Sequence, residues 1–309
     1  MLNKFFSTTR PAGYVLIALV LLITYSLKLF SDISWLSNPV DIIEKTGLFI
    51  CIVLSVLLVQ FISVKNNLNS NSLYSLYFYS CFLILFSSYM DNAQLILSNL
   101  CILLGLRRIF SLHSLLVPKQ KIFDASIWFL IAMLLNSWSV LFLLMIYFAI
   151  IWYASNDYRN WLIPIIAISI VAILFYSYCL FYNIDFIDFW SQKFHYSLNF
   201  YYFDNDYQRV ALSLFVAFCF LFITTQAKLI NRVALNQQAI YKNVLGCFAI
   251  GAVIYLIGFP KSNSLLVYTF FPLSIAAGNF VLNIDQKWIK ESILIGILIV
   301  SMFIFLMQL

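Results

Sequence analysis

Eleven apolar runs follow one another along the chain, at residues 13–30, 47–64, 73–90, 93–110, 123–137, 139–154, 161–182, 210–226, 243–259, 264–283 and 292–309. Each is close to the length of about 20 residues that carries an α-helix across a hydrocarbon core roughly 30 Å thick. In lipid a backbone must satisfy its own hydrogen bonds, so each run is predicted to be helical. The polar segments between runs leave little chain for a separate soluble core. Composition agrees: 63% of the 309 residues are hydrophobic, 10% are charged, and the mean hydropathy is +0.96. A soluble domain has nearer half and a quarter. A water-soluble enzyme is excluded, and so is a nucleic-acid-binding module despite the net charge of +6. No nucleic-acid partner is expected. The six cysteines all lie inside apolar runs without a CxxC pair, which excludes a disulfide scaffold. The expected fold is all-α: one integral membrane domain over residues 1–309, a helical bundle of about eleven transmembrane helices.

Residues 123–155 decide the topology. They are too long for one crossing at 1.5 Å per residue and barely sufficient for two. Asn136-Ser137-Trp138-Ser139 at their centre supplies a polar turn, so two short spans are predicted. With the N-terminus cytoplasmic, only Lys28, Lys45, Lys193, Arg209 and Lys261 of the 18 basic residues then fall outside, leaving 13 inside. Cytoplasmic loops carry such an excess of Lys and Arg. The expected location is a bacterial inner membrane, crossed many times.

The acids divide the other way. Asp124, Asp157, Asp285 and Glu291 are assigned inside, and the other eight of twelve outside. Acids do little to set topology, so the outer face is where function is expected. Two outer loops have enough polar chain to build a site. The first, residues 31–46, carries Asp32, Asp41 and Glu44. The second, residues 183–209, is expected to lie in the membrane interface. Its first half has Ile184, Ile187, Trp190 and Phe194 at helical spacing, the pattern of a short amphipathic helix. Its second half mixes Tyr201 and other aromatic residues with Asp204, Asp206 and Arg209. Rings beside carboxylates suit a sugar or a lipid headgroup, although an aromatic interfacial anchor has the same composition. Asp91, in the outer turn before Asn92, could join this face as a base or be an ordinary solvated turn residue.

Elsewhere, Lys28 is placed to snorkel to the interface, and Arg107 and Arg108 to anchor the inner face or hold an anionic lipid. Pro272, in the middle of the tenth run, frees a backbone carbonyl that needs another partner. Gly246, Gly251 and Gly258 are expected at close helix contacts. His113 and His195 fall on opposite sides, so no metal centre is expected, and no cofactor motif is present. The runs are nearly free of ionisable residues, which demotes an ion-driven pump.

The runs LCILLGLRRIFSLHS, KQKIFDASIWFLIAMLLNSWSVLFLL, YRNWLIPIIAI and VYTFFPLSIAAGNF together resemble a family of uncharacterised bacterial polytopic inner-membrane proteins of about 300 residues. More remotely, an acid after the first span and an interfacial helix resemble GT-C glycosyltransferases and glycan polymerases. That resemblance implies a polyprenyl-phosphate-linked sugar as substrate, with Asp32 or Asp41 as catalytic base. Lys193, His195 or Arg209 would neutralise the carrier phosphate, and Asp91, Tyr201, Asp204 and Asp206 would line the substrate site. The alternative is a non-catalytic subunit or scaffold whose partners are membrane lipid and other envelope proteins. A third reading, a lipid or small-molecule transporter, requires a cavity past Pro272.

Overall fold

The structure is a computed structural model and describes residues 2–31, 35–36, 38–196, 200, 202–203 and 205–309. Among them are thirteen α-helices and no strand. After the short α1 (Leu2–Phe6) come α2 (Pro11–Phe30), α3 (Pro39–Lys65), α4 (Tyr74–Leu85), α5 (Ala93–Phe110), α6 (Pro118–Leu135) and α7 (Leu143–Ala149). There follow α8 (Arg159–Phe181), α9 (Phe186–Lys193), α10 (Asp206–Ile230), α11 (Leu235–Ile257), α12 (Val267–Leu282) and α13 (Lys287–Gln308). Among the described residues nine helical segments are long and apolar enough to cross a membrane, as an α-helical membrane bundle requires.

The two remaining expected spans have physical reasons for falling short. The first is α4, only 12 residues or about 18 Å of helix, continued by a 3₁₀ turn over Ser87–Asp91. Every residue of α4 is buried by protein. Irregular backbone at membrane depth is tolerated there because it does not meet lipid. The second is α6, whose first two turns carry Lys119, Lys121 and Asp124.

Residues 118–154 turn back on themselves, as the Asn136 turn predicted. The Asn136 side chain accepts a hydrogen bond from the Trp138 backbone N–H at 3.2 Å and so caps a 3₁₀ segment, Ser137–Phe142, that leads into α7. A π-helical turn, Ile150–Ala154, follows. At the far end Lys119 Nζ, before the outgoing helix, lies 3.0 Å from Asp157 Oδ2, after the returning one. The outgoing and returning segments therefore begin and end at the same end of the bundle. The other three described salt bridges, Lys28–Asp91, Arg108–Asp124 and Asp206–Arg209, likewise join residues that the charge distribution puts at one end of the bundle.

The Lys119 contact, with a backbone N–H of Arg159, holds the Asp157 carboxyl below its usual pKa. A depressed carboxylate pKa contributes stability that is complete above the unfolded value of about 4 and is lost as pH falls through the folded one. Wild type is expected to be slightly more heat-stable than Asp157→Asn at pH 6. The difference should shrink as pH falls below about 4 in paired thermal scans; one that stays constant would disprove the assignment.

The core is built around α4 and α12. Residues 267–279 of α12 are all buried, whereas only 17% of the apolar window of α8 and 22% of that of α10 are. The outer helices present Ile173, Leu174, Phe181 and Phe220 to the lipid. Between helices in lipid there is no hydrophobic driving force, so packing shape and polar bonds decide association. Shape comes from interlocked rings: Phe82–Phe215 at 5.4 Å, Phe86–Phe270 at 5.7 Å and Phe78–Phe222 at 5.8 Å tie α4 to α10 and α12. Polar bonds come from a buried chain. Ser63 donates to Asn69 Oδ1 at 2.9 Å, Asn69 Nδ2 donates to the Ile275 carbonyl at 3.0 Å, and Asn279 Nδ2 donates to Gln226 Oε1 at 3.0 Å.

Pro272 lies inside this packed helix. By removing an N–H it leaves the Tyr268 carbonyl without its helical partner, and that carbonyl faces Gly251 of α11, where a Cβ would come within 2.7 Å. Gly251 is thus a close helix contact as expected, and Gly246 faces Met145 in the same way.

Candidate functional site

The described candidate residues occupy three corners at one end of the bundle. Asp32, Tyr201 and Asp204 lie outside the described residues. At the first corner Asp41 is in the opening turn of α3, and its carboxylate accepts from Asn38 Nδ2 at 3.2 Å. Asp91 closes the 3₁₀ turn after α4 and pairs with Lys28 Nζ at 3.3 Å. Lys28 is therefore a counter-ion, which its expected snorkelling did not include.

The second corner is the interfacial loop. Asn183 at φ 54° ends α8, and the Asp185 side chain caps α9 by accepting from the Ile187 N–H at 2.9 Å. This start fixes which face packs. Phe186, Phe189 and Trp190 all gather round Phe175 of α8, at 6.0, 5.0 and 5.6 Å between ring centres. Trp190 of the expected face packs here and Phe194 stacks on it at 5.4 Å, while Ile187 is 75% exposed to the surroundings of the bundle.

Lys193 ends α9 on the packed face. Its Nζ donates to the Leu134 carbonyl at 2.9 Å and sits 4.5 Å from the Phe189 ring centre. Burial disfavours the charged ammonium and lowers its pKa. The loop is pinned to the α6 turn by two further bonds. Ser137 donates to the Lys193 carbonyl at 2.8 Å, and Trp138 Nε1 donates to the His195 carbonyl at 3.0 Å. The His195 ring meets Phe259 edge-on at 5.9 Å.

At the third corner Asp206 pairs with Arg209 at 3.4 Å, and the guanidinium lies 5.6 Å from the Phe203 ring centre. Beside them Tyr202 donates to Asn263 Oδ1 at 2.6 Å, while Asn263 Nδ2 donates to the Gln208 carbonyl at 3.1 Å. Burial raises the Tyr202 pKa, so the phenol stays a neutral donor.

Between the corners is a cavity of about 200 Å³, lined by Asn92, Gln94, Asn136, Ser137, Gln192, Lys193 and Ser262 with an apolar wall that includes Phe259 and Pro260. Every corner reaches it through a neighbour in sequence: Asn92 beside Asp91, Lys193 itself, and Ser262 beside Asn263. No carboxylate is among its described lining residues. Its chemistry is that of neutral amides and hydroxyls around one ammonium, which can hold a polar or anionic group. Sequence reasoning found Lys193 and missed the amides. Asn92 and Asn136 read as turn residues, and nothing in their spacing showed that two turns and a helix end would meet.

A family described as a family of unknown function (DUF6427) matches residues 4–309. The chain belongs to it. The match fits the resemblance drawn from the sequence to uncharacterised membrane proteins of about 300 residues. No curated protein and no solved structure matches the chain.

Proposed function

We propose that the chain is a non-catalytic subunit of an envelope assembly in a bacterial inner membrane, with its N-terminus cytoplasmic. The end of the bundle that carries loop 183–209 is then its outer face and its surface for a protein partner. The observation that supports this reading is that the described acids are engaged by other groups and stand apart from the cavity. Asp91 is neutralised by Lys28, Asp206 by Arg209, and Asp41 is held by Asn38, while no described lining residue of the cavity is a carboxylate. General-base catalysis needs a carboxylate or equivalent within hydrogen-bond reach of the proton it removes. The ring-rich exposed rim, with Tyr196 and Ile187 unburied, has instead the composition of interface cores.

The competing reading, a GT-C-like transferase using a polyprenyl-phosphate-linked sugar, draws on one observation, the lysine among amides at the cavity. The transporter reading loses support, because Pro272 lies in a continuously buried stretch of α12. Complementation of a deletion strain separates the first two. Asp32→Asn, Asp41→Asn, Asp91→Asn and Asp206→Asn are each expected to restore the envelope as wild type does, and purification in mild detergent should yield a partner in fixed ratio. Failure of Asp32→Asn or Asp41→Asn to complement at normal protein level, with bound polyprenyl lipid and no partner, would overturn the proposal.

A further inference from the structure

Helix α9 separates two cavities of opposite character. On one side is the polar cavity described above. On the other is a cavity of about 210 Å³ whose walls are wholly apolar, among them Leu134, Val171, Ala172, Phe175, Phe186 and Trp190. One helix supplies both, with Phe186 and Trp190 facing the apolar space and Gln192 and Lys193 the polar one. They meet at the end of α6. Lys193 Nζ bonds to the carbonyl of Leu134, the Leu134 side chain lines the apolar cavity, and Leu135 and Asn136 line the polar one.

The ammonium therefore sits at the boundary between hydrocarbon and polar walls. It carries three donors, and the one hydrogen bond described for it goes to Leu134. Among the described lining residues Lys193 is the one charged group, so an anion placed there would meet an ammonium and no described carboxylate. Burial already lowers the lysine pKa, and an adjacent anion would reverse that penalty. An anion alone would leave the apolar cavity unfilled, whereas an amphiphile occupies both at once.

We propose that the paired cavities beside α9 bind one phosphate-bearing membrane lipid, its phosphate on Lys193 and the amides of Asn136 and Gln192, its chain beneath Trp190. A lysine near an anionic headgroup contributes about fivefold in affinity, and the chain adds selectivity by its fit to the apolar walls. The inference does not depend on the protein's having a partner.

Native mass spectrometry of the purified full chain, titrated with long-chain phosphatidylglycerol or phosphatidylcholine, tests it. One phosphatidylglycerol is expected to bind in preference to phosphatidylcholine. Lys193→Gln should weaken it about fivefold, and Lys193→Arg should retain it. Because Lys193 also steadies α9, a second variant leaves the lysine untouched. Ala172→Phe fills the apolar cavity and should weaken long-chain phosphatidylglycerol while leaving a dihexanoyl analogue unchanged. Lys242→Gln, a cation over Trp152 at the opposite end, should have no effect. Equal losses in Lys242→Gln and Lys193→Gln, wild-type lipid binding by Ala172→Phe, or displacement of the lipid by millimolar inorganic phosphate would each overturn the proposal.

Discussion

Gly278→Ala is expected to destabilise the bundle by about 3 kcal/mol, although it adds a single methyl group. The new Cβ would fall inside the van der Waals envelope of Asn69 Nδ2, with Asn69 Cγ at 3.0 Å and Tyr74 Cβ at 3.4 Å. A side-chain amide at a surface would swing away at little cost. This one cannot, because it holds the Ile275 carbonyl and Ser63 and adjoins Asn279, all of them buried. Overpacking a core costs about 1–3 kcal/mol, and each lost side-chain hydrogen bond in a membrane protein about 0.6 kcal/mol. Unfolding titrations in mixed micelles measure the sum. The cycle with Asn69→Ala tests the cause: removing the amide makes room for the methyl, so the double variant should be no less stable than Asn69→Ala alone. Full additivity would show that the clash lies elsewhere.

Gly251→Ala should cost a similar amount, about 2–4 kcal/mol, for a different reason. Its Cβ would lie 2.7 Å from the Tyr268 carbonyl oxygen and 2.9 Å from the carbonyl carbon. Backbone cannot rotate aside, so α11 and α12 must move apart and lose contacts along their length. The same substitution has two internal controls. Gly47 and Gly296 sit in α3 and α13 with nothing within 4 Å of a new Cβ. There alanine should be neutral or stabilise by up to about 1 kcal/mol, since glycine is the poorer helix former. If all four variants behaved alike in heat-challenge assays, the close approach at Gly251 would be refuted.

The bundle was legible in the sequence because lipid leaves so few choices. Runs of about 20 apolar residues must be helices, and the Asn136 turn followed from the length of residues 123–155 and the polar residues at their centre. Misjudged details came from contacts distant in sequence. The shortness of α4 is permitted by its burial beneath helices up to 200 residues away, a fact that hydropathy does not carry. Which rings of α9 pack on the bundle depends on Phe175 of α8, which the loop's own spacing does not show. At the site, charges were visible and their pairing was not. Asp91 reads as a free acid until Lys28, across the first and third spans, is found beside it. The amides that line the cavity are neutral, and their meeting is a property of two turns and a helix end brought together by the bundle.

The burial of α4 also sets a schedule for assembly. Its main neighbour, α12, begins at Val267, 193 residues after Tyr74. At roughly 5–20 residues per second of synthesis, α4 waits on the order of 10–40 s before that partner emerges. During this interval its serines and tyrosines have only the earlier helices for company. A ribosome that stalls, or a chain cut short before α12, leaves eleven of the thirteen helices in the membrane with one side of the innermost helix uncovered. Such a chain is a natural substrate for quality-control proteolysis, and the last quarter of the sequence decides whether the first quarter survives.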